Sequence, residues 1–190
     1  MRRRITLALA LAAGLAATAF VVGCGSSEGG GSTTHPDYAK ALAGAPAPLA
    51  KLHEQADQIL PGGRDAFERR VASLGYPVVA NVWASWCWPC RSEFPMLQDA
   101  AARWGEKVGF IGVDSEDSEE EAEKWLDAHP VPYPSYFDPD YEVAASYKAS
   151  GPPDTAFYDA TGKLVHVKLG QYADASELEA DIRRYALGGA

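Results

Sequence analysis

Residues Asn81–Leu97 read NVWASWCWPCRSEFPML. The apolar, β-rich run Tyr76–Ala84 (YPVVANVWA) leads into this stretch, and a helical rhythm follows it to about Arg103. Cys87 and Cys90 therefore fall at a strand-to-helix junction. A cysteine pair at this spacing can be a working dithiol, half of a metal site or a structural staple. A tetrahedral zinc site needs four ligands, and His35, His53, His129 and His166 are scattered with no paired spacing. A staple that closes so short a loop contributes little chain entropy. At a helix N-terminus, by contrast, free backbone N–H groups and the helix dipole lower a thiol's pKa from about 8.5. Cys87 is expected there. Cys90, one turn in, is expected to be more buried, to keep its proton longer and to attack a mixed disulfide on Cys87. The pair reads as a redox-active dithiol that needs no metal and no cofactor.

Upstream, APLAKLHEQADQIL (residues 47–60) carries apolar residues at Leu49, Leu52, Ala56, Ile59 and Leu60, a helical spacing. After PGG, RDAFERRVASLG predicts a second helix with Phe67, Val71 and Leu74 inward. KVGFIGVD reads as a strand. DSEDSEEEAEKWLDAH begins acidic and ends in a helix, with Ser118 and Glu121 spaced as a capping box. The alternative for its acids is a metal site. YPSYF is a short strand, DYEVAASYK a helix, and DTAFYD and KLVHVKLG a hairpin about ATG. DASELEADIRRYAL closes the chain as a helix with Ala175, Leu178, Ile182 and Tyr185 on one face. This order indicates an α/β fold with a mixed central sheet flanked by helices and extra helices at the N-terminus.

The first residues bear on compartment. MRRR followed by the apolar Ile5–Val22 has the layout of a secretory signal, expected over residues 1–23. It ends on VVGC, which resembles a bacterial lipobox with Cys24 as the lipidated residue; the alternative is an uncleaved anchor. Either places the remainder outside the cytoplasm. Residues 24–36, containing GSSEGGGSTT, read as a flexible tether. Residues 37–75 are expected to form an N-terminal helical segment and 76–187 the main domain. Losing Arg2, Arg3 and Arg4 would take the formal charge from −9 to −12. So acidic a surface argues against nucleic acid as a partner.

The segment NVWASWCWPCRSEFPML, continued by GFIGVDSED and YPSYFDPDYEVAASYKASGPPDTAFYDATGKLVH, resembles the TlpA/ResA/CcmG-type thioredoxin-like proteins. These are membrane-tethered thiol–disulfide oxidoreductases. The resemblance covers about Tyr76 to Leu187. It implies a thioredoxin-like fold, with Cys87 as nucleophile and Cys90 as resolving thiol. Pro95 matches the proline that kinks the active-site helix, and Trp86 the aromatic before the first cysteine; core packing is the structural alternative for Trp86. Asn81 stands where thioredoxin carries a buried acid. Glu93 matches a glutamate near the cysteines, where a partly buried carboxylate would have a raised pKa and could shuttle the proton of Cys90. Helix phase could instead turn Glu93 to solvent. SGPPDT aligns Pro153 with the cis-proline that shapes the substrate groove, an all-trans loop being the alternative.

The sequence departs from the family pattern at three places. Pro152, before the expected cis-proline, has no N–H to pair with a substrate peptide. Asp154 replaces the usual threonine and is expected to bring negative charge near the groove. Trp88, between the cysteines, replaces a smaller or charged residue; it either gates substrate or covers apolar surface. The resemblance implies a reductant of chosen protein disulfides, apocytochrome c among them. Its partners would be a client protein with a disulfide and a membrane thiol reductant as electron donor. It would be extracytoplasmic, held by lipid on Cys24 to the outer face of the cytoplasmic membrane. The alternatives are a disulfide donor or isomerase, and a non-catalytic binding lipoprotein. A peroxidase is disfavoured, because WASWC lacks the threonine that thiol peroxidases carry three residues before the cysteine.

Overall fold

A computed structural model describes residues 35–148 and 151–189. The signal segment, most of the tether and Cys24 lie outside the described residues. Among the described residues, six strands form one sheet: β1 (Ile59–Leu60), β2 (Val78–Trp83), β3 (Gly109–Ser115), β4 (Ser135–Asp138), β5 (Asp154–Tyr158) and β6 (Leu164–Leu169). Their spatial order is β1-β4-β3-β2-β5-β6. The first four in that order run parallel, and β5 and β6 join antiparallel. The helices are α1 (Tyr38–Ala41), α2 (Ala47–His53), α3 (Gly63–Leu74), α4 (Trp88–Trp104), α5 (Glu119–Ala128), α6 (Glu142–Ser146) and α7 (Ala175–Asp181), which runs into a π-helical turn at Ile182–Ala186. This is the thioredoxin-like arrangement that the resemblance implies.

Strand alternation sorts the core onto two faces. Val79 and Trp83 of β2 join Phe94 and Leu97 of α4, Leu126 of α5, and Leu178 and Ile182. Val78, Ala80 and Val82 join Leu49, Leu52, Phe67, Val71 and Leu74 from α2 and α3. Each such Leu- or Phe-sized side chain contributes about 1.5–3 kcal/mol on burial. Asn81 lies between Val79 and Trp83 in the alternation, and so shares the face covered by α4. Gly112 of β3 is required by close packing: a Cβ there would collide with Ser135 Oγ and sit 2.9 Å from Trp83 Nε1. The same two groups are hydrogen-bonded, the Trp83 indole N–H donating to Ser135 Oγ at 3.1 Å.

Three readings of the helices need correction. The helix expected over residues 47–60 stops at His53. Asp57 then takes a left-handed conformation (φ 59°) and accepts the Val131 N–H, which turns Ile59 and Leu60 into the edge strand beside Ser135 and Tyr136. Local periodicity could not show this pairing partner. On the closing helix, Ala175 is exposed; the π-helical turn brings Ala186 inward with Leu178 and Ile182. The Ser118 cap is present, its Oγ accepting the Glu121 N–H, but the Ser118 N–H goes to Asp117 rather than to Glu121. Among the described residues, no helix is long and apolar enough to cross a membrane.

Candidate active site

β2 ends at Trp83, and the chain turns through Ala84–Cys87, closed by the Cys87 N–H donating to the Ala84 carbonyl at 3.1 Å. Cys87 is the N-cap of α4, and its Sγ accepts the Cys90 N–H at 3.2 Å. Pro89 occupies the first turn, where a missing N–H costs nothing. Cys87 and Cys90 are joined as a disulfide, with Cα atoms 5.3 Å apart. Both residues are buried, at 2% and 1% exposure, so the expected difference in burial between them is absent in this oxidised form. The helix continues through Pro95 to Trp104.

Glu93 lies on the same face of α4 as Cys90, one turn on, and is 1% exposed. Its Oε1 accepts the Asn81 side-chain amide at 3.0 Å, and its Oε2 accepts the Tyr172 N–H at 3.1 Å. Burial raises its pKa to about 7, against the lowering effect of the Tyr172 and Asn81 hydrogen bonds and the Lys168 charge; Asp154 pushes it further up. Removal from water outweighs two hydrogen bonds and a cation here, because it penalises only the charged form. A carboxyl poised near neutral pH can both hold and release a proton. The helix phase that could have turned Glu93 outward instead turns it onto Asn81.

The Pro152–Pro153 peptide bond is cis, with Pro153 buried and Pro152 half-buried. Asp154 pairs with Val82 in the sheet, so Pro153 and Pro152 leave the β5 end where β2 passes into the cysteine turn. Asp154 itself is buried, contrary to the expectation that it charges the groove. Its Oδ1 accepts the Gly170 N–H at 3.0 Å, and burial raises its pKa. Trp88 is 75% exposed beside the disulfide. Trp86 is 55% exposed, which excludes the core-packing reading; its indole N–H donates to the Glu116 carbonyl at 2.8 Å.

Three participants were not singled out from the sequence as site residues. Tyr172 contributes only a backbone N–H, which leaves no trace in a side-chain pattern. Ser85 and Asp117 meet across the loops after β2 and β3: the Ser85 N–H and Oγ both donate to the Asp117 carboxylate.

Residues 44–167 match the family model described as AhpC/TSA family. The chain belongs to that family. It is 33% identical over 128 residues to the thiol:disulfide interchange protein DsbE homolog of Paracoccus denitrificans, covering 65% of this chain and 69% of that one. It is 32% identical over 97 residues to the thiol-disulfide oxidoreductase ResA of Oceanobacillus iheyensis, half of each chain. The crystal structure of a thiol:disulfide interchange protein DsbE from Chlorobium tepidum superposes with a TM-score of 0.55 at 31% identity, covering 60% of this chain and 82% of that one. This AhpC/TSA-family chain is thus of the DsbE/ResA type. With its disulfide-bonded Cys-x-x-Cys at a helix N-terminus, it is a thiol–disulfide oxidoreductase.

Proposed function

We propose that the chain reduces selected protein disulfides outside the cytoplasm, held to the outer face of the cytoplasmic membrane by lipid on Cys24. The observation that carries the dithiol chemistry is Glu93, a buried carboxyl with a pKa near neutral, one turn behind Cys90; the reductive direction and the lipid on Cys24 rest on the family resemblance. In the reduced protein, Cys87 is the thiolate, stabilised by the helix end and the Cys90 N–H. It attacks one sulfur of the client disulfide; that bond breaks, a mixed disulfide forms, and the departing client sulfur takes a proton. Cys90 then yields its proton to Glu93 and attacks Cys87 Sγ, which releases the second client thiol. Two electrons have passed to the client, and the Cys87–Cys90 disulfide remains. A membrane thiol reductant restores the pair.

Pro153 and Pro152 form one wall of the client groove, and Trp86 and Trp88 present exposed aromatic surface beside it. The family resemblance points to cytochrome c maturation as the setting, with apocytochrome c thiols as the product. The expected domain division follows the same reading: residues 1–23 are removed, 24–36 tether the chain, and 37–75 brace the domain at 76–187. The test is Cys90→Ser, which leaves Cys87 able to attack and unable to be released. Mixed disulfides accumulating on Cys87, and absent from a Cys87→Ser control, are the expected result. No adduct on Cys87 would favour a non-catalytic binding module.

A further inference from the structure

Every polar backbone and side-chain group of Ser85 is engaged. Its N–H donates to Asp117 Oδ2, its Oγ donates to Asp117 Oδ1 at 3.0 Å, and its carbonyl accepts from Arg91 Nε at 2.6 Å. The next side chain, Trp86, is tied to the Glu116 carbonyl. Ser85 and Trp86 are the two central residues of the turn that Cys87 closes onto Ala84. The turn is therefore gripped from one side by the β3–α5 loop and from the other by α4. Arg91 is itself held, with its guanidinium 4.5 Å from the centroid of the Trp125 ring of α5. Hydrogen bonds with an ionised partner are roughly twice as strong as neutral ones; Asp117 accepts two of them from Ser85 and Arg91 donates one, so Asp117 supplies the larger share of the grip.

We infer that Asp117 is a positioning residue for the thiol reaction: through Ser85 it fixes the turn that delivers Cys87 to the N-terminus of α4. The inference rests on the reading of Cys87 as the attacking thiol. The stabilisation offered by a helix end falls off within a turn. Cys87 benefits only while its sulfur stays within reach of the Cys90 N–H, and the Ala84–Cys87 turn sets that distance. Losing the grip raises the Cys87 thiol pKa. Losing the Asp117 charge alone would lower it, because a nearby anion disfavours a thiolate. The two roles differ in sign. The other charged groups around this grip are Asp114 and Glu116 after or within β3, Asp138 of β4, Glu119 of α5 and Arg91 of α4.

The test follows alkylation of Cys87 by iodoacetamide against pH in the reduced full-length protein, read at Cys87 by mass spectrometry. Each variant is made in a Cys90→Ser background, which keeps the Cys90 N–H. Asp117→Ala should raise the midpoint by about one unit, leaving about tenfold less thiolate below it. Asp117→Asn, whose amide oxygen can still accept one bond, should move it less. Ser85→Ala, which removes one bond and no charge, should move it the same way and carries the test if Asp117→Ala does not fold. An unmoved or lowered midpoint in all three would overturn the inference. Alkylation needs no client, so this outcome is separable from failure of the oxidoreductase reading, which would appear as no trapped partner whatever stands at residue 117.

Discussion

Asn81 donates its side-chain amide to Glu93 Oε1 across the interface between β2 and α4. The bond ties the strand that leads into the cysteines to the carboxyl that follows them. Because Asn81 is neutral, it leaves Glu93 as the acid that titrates behind Cys90. A second acid at Asn81 would share this buried space and drive one of the two carboxyls to remain protonated.

Glu93→Gln keeps the shape and removes the titration. The wild-type rate of client-disulfide reduction should show an inflection near pH 7, where Glu93 changes from proton donor to acceptor. In the variant that inflection should vanish, and the rate at pH 7 should fall by about 10²-fold, the lower range for a positioned acid–base group. Stopped-flow turnover across pH 5–9 measures both. A profile identical to wild type would remove Glu93 from the proton path.

Stability should decline as pH rises. Asp114 is fully buried, with its carboxyl beside that of Asp117. Burial, then the neighbouring Asp117, raises its pKa to about 8, and Glu93 is raised to about 7. In the unfolded chain both ionise at ordinary carboxylate values. The folded state therefore binds more protons between those values and pH 7–8, and its stability is full below them and lost as pH rises. Each group that keeps its proton contributes a slope of about 1.4 kcal/mol per pH unit. Thermal melts from pH 5 to 8 should show a falling Tm, and Asp114→Asn should flatten much of the fall. A Tm that climbs over this range contradicts the assignment.

The cis Pro152–Pro153 pair lacks the N–H that a residue before the groove proline would offer a client backbone. Pro152→Thr restores a donor worth about 1 kcal/mol net. The variant should lower KM for a model disulfide peptide by about fivefold, with kcat little changed. No change in KM would mean that client peptides do not pair with this position.

Gly112→Ala tests the packing beneath the site. The added methyl group enters the space between Ser135 Oγ and Trp83 Nε1, and overpacking of this kind costs about 1–3 kcal/mol. Urea unfolding should show the loss with an unchanged slope; wild-type stability would mean that Ser135 moves aside freely.

Much of this architecture is legible in the sequence because its determinants are local. The apolar, β-rich run of β2, the cap at Ser118, the inward Phe67, Val71 and Leu74, and the junction that presents Cys87 all follow from short-range pattern. What escaped the sequence depends on contacts between distant segments. Ile59–Leu60 continues a helical spacing, yet its strand partner lies beyond residue 130. The burial of Asp154 depends on the Gly170 N–H at the end of β6. The hold of Asp117 on Ser85 joins two loops that are neighbours only because β2 and β3 are paired. Trp86 by type fits either the family's aromatic before the first cysteine or the core, and the Glu116 carbonyl that accepts its indole N–H comes from a different loop.

The central claim is the direction of electron flow, and the equilibrium reduction potential of the Cys87–Cys90 pair tests it most directly. The full-length protein is titrated against a thiol/disulfide buffer and the free thiols are counted. A reductant requires a potential of about −250 mV or below, and that is the expected value. A potential of about −120 to −180 mV would make the protein a disulfide donor or isomerase and contradict the reductive account.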